Sequence, residues 1–332
     1  MKTFLTLFGL IFFQLSIFQA FAKDTISDFE KVFPGALRVE GSQLVGEDGK
    51  PVILKGVSLG WHNWWPRFYN TSTVSWLKND WNAQVVRASI GVDVSKGFLE
   101  NPEFALEKIQ AVVDAAIAEN IYVIIDWHSH HLVEKEAIEF FGKMAQKYGE
   151  SPHVIYEIFN EPVELEWSEI KDYSEKVIHE IRKYDLDNLI LVGTPTWSQD
   201  VDVVSDHPLT GFSNLMYVLH FYAGTHQESL RSKANKALES GLPIFVSESA
   251  GMNSDGNGPI DWASWKAWTE WMDAMAISRI AWSISDKDET CSMLLKSASS
   301  FGRWEEDDLN IWGKYIREYL RSDQIENRYF GN

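Results

Sequence analysis

Two glutamates stand where apolar segments of this chain run out. Val154-Ile155-Tyr156-Glu157-Ile158-Phe159 leads into Asn160-Glu161-Pro162. Pro162 has no N–H to give a neighbouring strand, so pairing stops there and leaves a carboxylate at the mouth of a sheet, beside a neutral amide. Downstream, Leu242-Pro243-Ile244-Phe245-Val246 leads through Ser247 to Glu248. Two carboxyls, one protonated and one ionised, are what sugar-bond hydrolysis needs, about 5 Å apart for retention and farther for inversion. Spacing along the chain measures neither that gap nor which glutamate does which job. A glutamate taken at random is usually a solvated loop acid; position after buried-type runs sets these two apart.

Arg87 is the only charge in Val85-Val86-Arg87-Ala88-Ser89-Ile90. A buried arginine needs an anionic partner, and a catalytic carboxylate would be held ionised by it; a structural salt bridge inside the fold is the plainer alternative. His220 and Tyr222, two apart on one strand, point the same way, so the tyrosine hydroxyl can orient a nucleophile. Asp126-Trp127-His128-Ser129-His130-His131 invites a zinc reading, because a His-x-His pair at a strand end ligates metal in some barrel hydrolases. The later strand ends offer Glu248 and Trp282 rather than further ligands. The expectation is therefore no metal, His128 as a hydrogen-bonding rim residue, and His130 and His131 on the outgoing loop.

These residues need strand ends that converge. Apolar β-type runs fall at Ile53–Leu59, Val85–Ile90, Tyr122–Asp126, Ile155–Asn160, Leu189–Gly193, Met216–Phe221, Ile244–Ser247 and Ile280–Ser283. Amphipathic helical patterns fall between them, clearest at Glu103–Glu119, Glu134–Tyr148, Trp167–Tyr184, Gln227–Ser240 and Asp261–Ala274. Runs that are continuous rather than alternating imply strands covered on both faces, as in a parallel sheet. About eight β-then-α units predict an α/β fold of the (β/α)8 TIM-barrel type, preceded by a short hairpin over 37–54 that turns at Glu47-Asp48-Gly49-Lys50. An open doubly wound sheet is the rival, but Gly56-Val57-Ser58-Leu59-Gly60 lacks the phosphate-loop fingerprint. In a barrel, Arg87, His128, Asn160, Glu161, His220, Tyr222, Glu248 and Trp282 would share one rim.

Composition narrows the function. The apolar stretch Phe4–Phe21 after Lys2, with Ala20-Phe21-Ala22, reads as a secretory signal peptide over 1–22, which leaves one catalytic domain over 23–332. A net charge of −18 argues against a nucleic-acid partner and fits an uncharged substrate. Cys291 is the single cysteine, so neither an internal disulfide nor a thiolate metal site is available. No later stretch spans a bilayer, and the expected state is a secreted, extracellular monomer. Among the 15 tryptophans, Trp61, Trp64, Trp65, Trp127, Trp197 and Trp282 lie beside polar residues at segment ends, where a flat aromatic face suits a pyranose ring. Asn70-Thr71-Ser72 is a glycosylation sequon.

From about Leu37 to Tyr319 the chain resembles glycoside hydrolase family 5, most of all its secreted endo-β-1,4-glucanases. The resemblance rests on Val85-Val86-Arg87, Asp126-Trp127-His128, Ile158-Phe159-Asn160-Glu161-Pro162, Val192-Gly193-Thr194, Trp197-Ser198-Gln199-Asp200, His220-Phe221-Tyr222, Phe245-Val246-Ser247-Glu248 and Ala281-Trp282-Ser283. It implies Glu161 as acid/base, Glu248 as nucleophile, and Asn160 on the sugar 2-hydroxyl. It implies Arg87 and Tyr222 as tuners of Glu248, His128 and His220 as cleft lining, and Trp282 as the floor. Trp64 and Trp197 match stacking residues on the glycone and aglycone sides, and Lys287 and Glu289 match contacts to more distant glucose units. No cofactor is implied. Two departures stand out. Ser249-Ala250 follows the nucleophile where the family has an aromatic residue and glycine, and Gly60 replaces a histidine whose place His62 is the candidate to take. A mannanase, xylanase or mixed-linkage glucanase would use the same barrel, though Lys287 and Glu289 favour β-1,4-glucan. A purely binding barrel would typically lack a carboxylate. With no appended binding module before Asn332, soluble or amorphous glucan is the expected substrate.

Overall fold

Strands that carry a lumen on one face and helices on the other must be apolar throughout. Every residue of β4 (Val85–Gly91), β5 (Tyr122–His128), β6 (Val154–Glu157) and β8 (Leu215–Tyr222) is accordingly buried. The computed structural model describes residues 33–322; the expected signal peptide lies outside them. With β3 (Lys55–Leu59), β7 (Ile190–Val192), β9 (Ile244–Ala250) and β10 (Arg279–Ile284), these strands form a closed parallel barrel in the order β10-β3-β4-β5-β6-β7-β8-β9. A helix follows each strand: α1 (Thr71–Asn79), α2 (Pro102–Ala118), α3 (Glu134–Tyr148), α4 (Trp167–Ile181), α5 (Val201–Asp206), α6 (Glu228–Glu239), α7 (Trp262–Ala274) and α8 (Ile311–Arg321). This is the (β/α)8 barrel expected from the alternation.

The expected hairpin is present with its turn elsewhere. β1 (Arg38–Glu40) and β2 (Gln43–Val45) reverse at Gly41, whose φ of +62° suits glycine, while Glu47–Lys50 forms a second turn closed by Gly46 N–H to the Lys50 carbonyl at 3.0 Å. α1 escaped the sequence pattern because it buries little apolar surface beyond Val74 and Leu77. Its start is fixed by Asn70, whose Oδ1 accepts from Thr73 N–H at 3.1 Å and whose Nδ2 donates to the Arg67 and Ser300 carbonyls. The sequon asparagine is therefore fully engaged as a cap.

Two strands end differently from the apolar runs. β6 stops at Glu157, so Asn160 and Glu161 sit on the outgoing loop. Backbone bonds from Asn160 N–H to the Trp127 carbonyl (3.1 Å) and from Glu161 N–H to that of Ser129 (3.3 Å) hold them in place. β9 runs on past Glu248 to Ala250 and carries an extra residue. Phe245 pairs with Val218 and Glu248 with His220, three positions against two, and the β10 side shows the same offset between Val246 and Ser249. Such a bulge re-aims side chains. Here consecutive Ser247 and Glu248 both reach into the barrel.

Candidate active site

Arg87, projecting from β4 into the barrel and fully buried, gathers polar residues of other strands and of the loop after β6. Its Nε and Nη2 donate to the two Glu157 oxygens at 2.8 and 3.0 Å, Nη2 also to Asn160 Oδ1 at 2.7 Å, and Nη1 to Glu248 Oε2 at 3.0 Å. Asp126 lies 2.9 Å from Nη2. Burial alone would favour losing the proton, but the Asp126, Glu157 and Glu248 charges outweigh it and keep the guanidinium charged. Both readings of Arg87 hold together: it is a salt bridge inside the barrel and it touches a candidate catalytic carboxylate.

Glu248 accepts on both oxygens, from Arg87 and from the Tyr222 hydroxyl at 2.7 Å. Burial, then the adjacent Glu248 charge, push the Tyr222 phenol far above its ordinary value, so it stays a donor. Glu161 is bracketed by two imidazoles. His220 Nδ1 meets Oε1 at 3.0 Å and His130 Nε2 meets Oε2 at 3.2 Å. Burial would raise the Glu161 carboxyl, but these hydrogen bonds and charges prevail and hold it below the ordinary carboxylate range. His220 Nε2 donates to Ser247 Oγ at 2.9 Å, and Ser247 in turn donates to Glu157 at 2.8 Å. Burial would lower His220; hydrogen bonding to Glu157 and Glu161 reverses that and lifts it to about 9. Carboxylate oxygens of Glu161 and Glu248 and a ring nitrogen of His220 all lie within 4.8 Å of one another. The imidazolium, with both nitrogens engaged, supplies the positive charge there.

The three histidines of the 126–131 segment face three different carboxylates. His128 Nδ1 is 2.6 Å from Asp126, His130 bonds Glu161, and His131 Nδ1 is 2.6 Å from Asp93. Burial, then the Arg87 charge, drive His128 down to about 3, so it is neutral; with Nδ1–H on Asp126, Nε2 is left as an acceptor. His128 stacks on Trp282, centroids 5.4 Å apart. Asn160 spends its carbonyl on Arg87, leaving a buried Nδ2 with no partner among the described residues.

Two hollows flank the glutamate pair and share Glu161, Tyr222 and Glu248 as lining. One, about 220 Å³, is walled by Trp61, Trp64, Trp65, Trp282, Lys287 and Glu289, the last two ion-paired. The other, about 350 Å³, is walled by Thr196, Trp197, Gln199 and His226. Trp64 and Trp197 are half exposed at opposite ends. Trp197 is presented by three successive left-handed residues, Thr196 to Ser198 with φ of 55–57°, pinned by Trp197 N–H to the Pro162 carbonyl at 3.0 Å.

Two expected cleft residues are elsewhere. His62 is fully buried, its ring against Tyr69 and Phe104 and its Nδ1 accepting from Gly91 N–H at 3.1 Å. Its neighbour Trp61 faces the cleft instead. Trp127 is packed among Phe98, Phe140 and Phe141 in the core. Conversely, Glu157, Asp126, Ser247 and His130 belong to the site and were not singled out for it, whereas Trp61 lines the cleft as its segment-end position suggested. Glu157 carried the same signal as Arg87, a lone charge inside an apolar run. Ser249, at the departure after Glu248, donates to the Ile280 carbonyl at 2.9 Å and ties β9 to β10.

Residues 45–288 match the family model for cellulase (glycosyl hydrolase family 5). The chain is 48% identical over 263 residues to endoglucanase Z of Dickeya dadantii, covering 77% of this chain and 61% of that protein. It is 40% identical over 295 residues to an endoglucanase of Clostridium saccharobutylicum, covering 87% and 65%. It thus spans less than two thirds of the length of these relatives. A Thermobifida fusca endoglucanase catalytic domain in complex with cellotetraose superimposes with a TM-score of 0.81 at 30% identity, covering 87% of this chain and 98% of that domain.

Proposed function

The chain belongs to glycoside hydrolase family 5, and on that footing we propose that it is an endo-β-1,4-glucanase that cleaves cellulose or a related β-glucan with retention. The observation that carries the reading is the separation of Glu161 and Glu248, whose oxygens lie within 4.8 Å. Oxygens that close fall short of the roughly 6.5–9.5 Å separation of inverting pairs and fit the closer geometry of retaining pairs.

Roles divide by partners. Glu248 accepts from Arg87 and Tyr222 on its two oxygens, the arrangement of an oriented, ionised nucleophile. It attacks the anomeric carbon and forms a covalent glycosyl-enzyme. Glu161 protonates the leaving oxygen and then activates water. His220, raised by its carboxylate neighbours, faces the Oε1 of Glu161 through Nδ1 at 3.0 Å. Asn160 Nδ2, buried and without a partner among the described residues, is the donor we assign to the 2-hydroxyl as charge develops. His128 and Trp282 line the floor, and Trp64 and Trp197 are stacking platforms on either side. Lys287 and Glu289 reach more distant units. Hollows on both sides of the pair suit a chain bound through its middle, which supports internal cleavage.

Among the described residues no helix is long and apolar enough to cross a membrane. The expected leader over 1–22 supports secretion, and the reading is of a monomer acting on a polysaccharide. The test is loss of viscosity of carboxymethylcellulose beside a mannan and xylan panel, with the product anomer read by NMR. Glu248→Gln is expected to lose several orders of magnitude in turnover while staying folded; near-normal activity in that variant, or an α-anomer first product, overturns the reading.

A further inference from the structure

We propose that His130 is a positioning residue for Glu161, holding its outer oxygen and setting the pH at which that carboxyl takes up a proton. The inference rests on the acid/base role assigned to Glu161 above. Its basis is geometry. His130 Nε2 lies 3.2 Å from Oε2, on the opposite oxygen from His220. The turn that presents it is anchored from three directions. Ser129 Oγ donates to Asp93 Oδ1 at 3.2 Å, and His131 Nδ1 meets Asp93 Oδ2 at 2.6 Å. Across the gap to the β6 loop, Glu161 N–H reaches the Ser129 carbonyl at 3.3 Å and Val163 N–H the His130 carbonyl at 3.2 Å. The Trp61 ring stacks on the imidazole, centroids 6.0 Å apart. These bonds fix the turn with the imidazole facing the Glu161 carboxylate.

The charges around the pair fix the direction of the effect. Facing Glu161 are His130 from the β5 loop, His220 from β8, Glu248 from β9 and, more distantly, His226; facing His130 are Glu161, Glu248, Asp93 and neutral His128. Burial lowers His130, but the bond to Glu161 and the Glu161, Glu248 and Asp93 charges raise it above its ordinary value. In the acid range it is a cation against Glu161 and opposes protonation there. His130 side-chain exposure is 30%, against 2% for His220, so the outer imidazole is the one the solvent can adjust.

The experiment compares kcat/KM against pH on cellopentaose for the wild type, His130→Gln and His130→Lys, with Glu161→Gln alongside. The glutamine keeps a donor without a charge, and its alkaline limb is expected about one pH unit higher, the size of shift a neighbouring charge produces. The lysine keeps a charge and is expected to hold the limb at or below the wild-type position. A fall of equal size at every pH with the limb unmoved, while Glu161→Gln is inactive, overturns the inference and leaves the acid/base assignment standing. A fully active Glu161→Gln overturns both.

Discussion

Replacing Tyr222 with phenylalanine removes one oxygen and isolates one interaction. The phenol donates to Glu248 Oε1 at 2.7 Å, and among the described residues the other donor on that carboxylate is Arg87, on Oε2 at 3.0 Å. The phenyl ring keeps the shape of the side chain, so no cavity opens and the core contacts survive. A hydrogen bond to a charged group is worth about 1.5–3 kcal/mol. At about 1.4 kcal/mol per tenfold, that is a loss of roughly 10- to 150-fold in kcat/KM if the bond is made in the transition state. Glu248 sits at a cleft, 4% exposed, so water can partly replace the hydroxyl and the lower part of that range is expected. The assay is steady-state hydrolysis of cellopentaose by reducing-end release, with circular dichroism and the thermal midpoint recorded on the same preparation. An unchanged midpoint with kcat/KM within about twofold of wild type would refute the argument that Tyr222 orients the nucleophile.

Other consequences follow from the same network. Arg87→Ala leaves Asp126, Glu157 and Glu248 without their common cation, and a loss of about 3–5 kcal/mol is expected from breaking a buried pair, read as a lower urea midpoint with unchanged slope. His220 is raised in the folded protein to about 9, so the stability it contributes is complete below its unfolded value of about 6.5 and is lost as the pH climbs through about 9. Thermal midpoints should therefore fall over that window, and His220→Asn should flatten the fall. Trp64→Ala removes a half-exposed platform from the end of the cleft; at about 1 kcal/mol for an aromatic contact, KM should rise about fivefold with kcat nearly unchanged.

The barrel was legible because its signal is local. Continuous apolar runs alternating with helical periodicity put all eight strands in place to within a few residues, and Glu134–Tyr148 was bounded as observed. α1 was not, because a nine-residue helix with few apolar positions carries almost no periodicity. The hairpin turn was misplaced because Gly41-Ser42 and Glu47–Lys50 are both good reversals, and pairing chose between them.

The sequence by itself determined which residues were available for chemistry: two glutamates after apolar runs, one arginine alone among valines, and tryptophans at segment ends. Tertiary structure alone decided how they meet. The bulge in β9 turned Ser247 and Glu248 inward together, closing Ser247 onto His220 and Glu157. The anchored 129–131 turn brought His130 to Glu161, and the turn after β3 sent His62 into the core and Trp61 to the cleft. These outcomes depend on register and on charges from strands far apart in sequence. A burial pattern reports whether a side chain leaves water; which partner it then finds is set by the closure of the barrel.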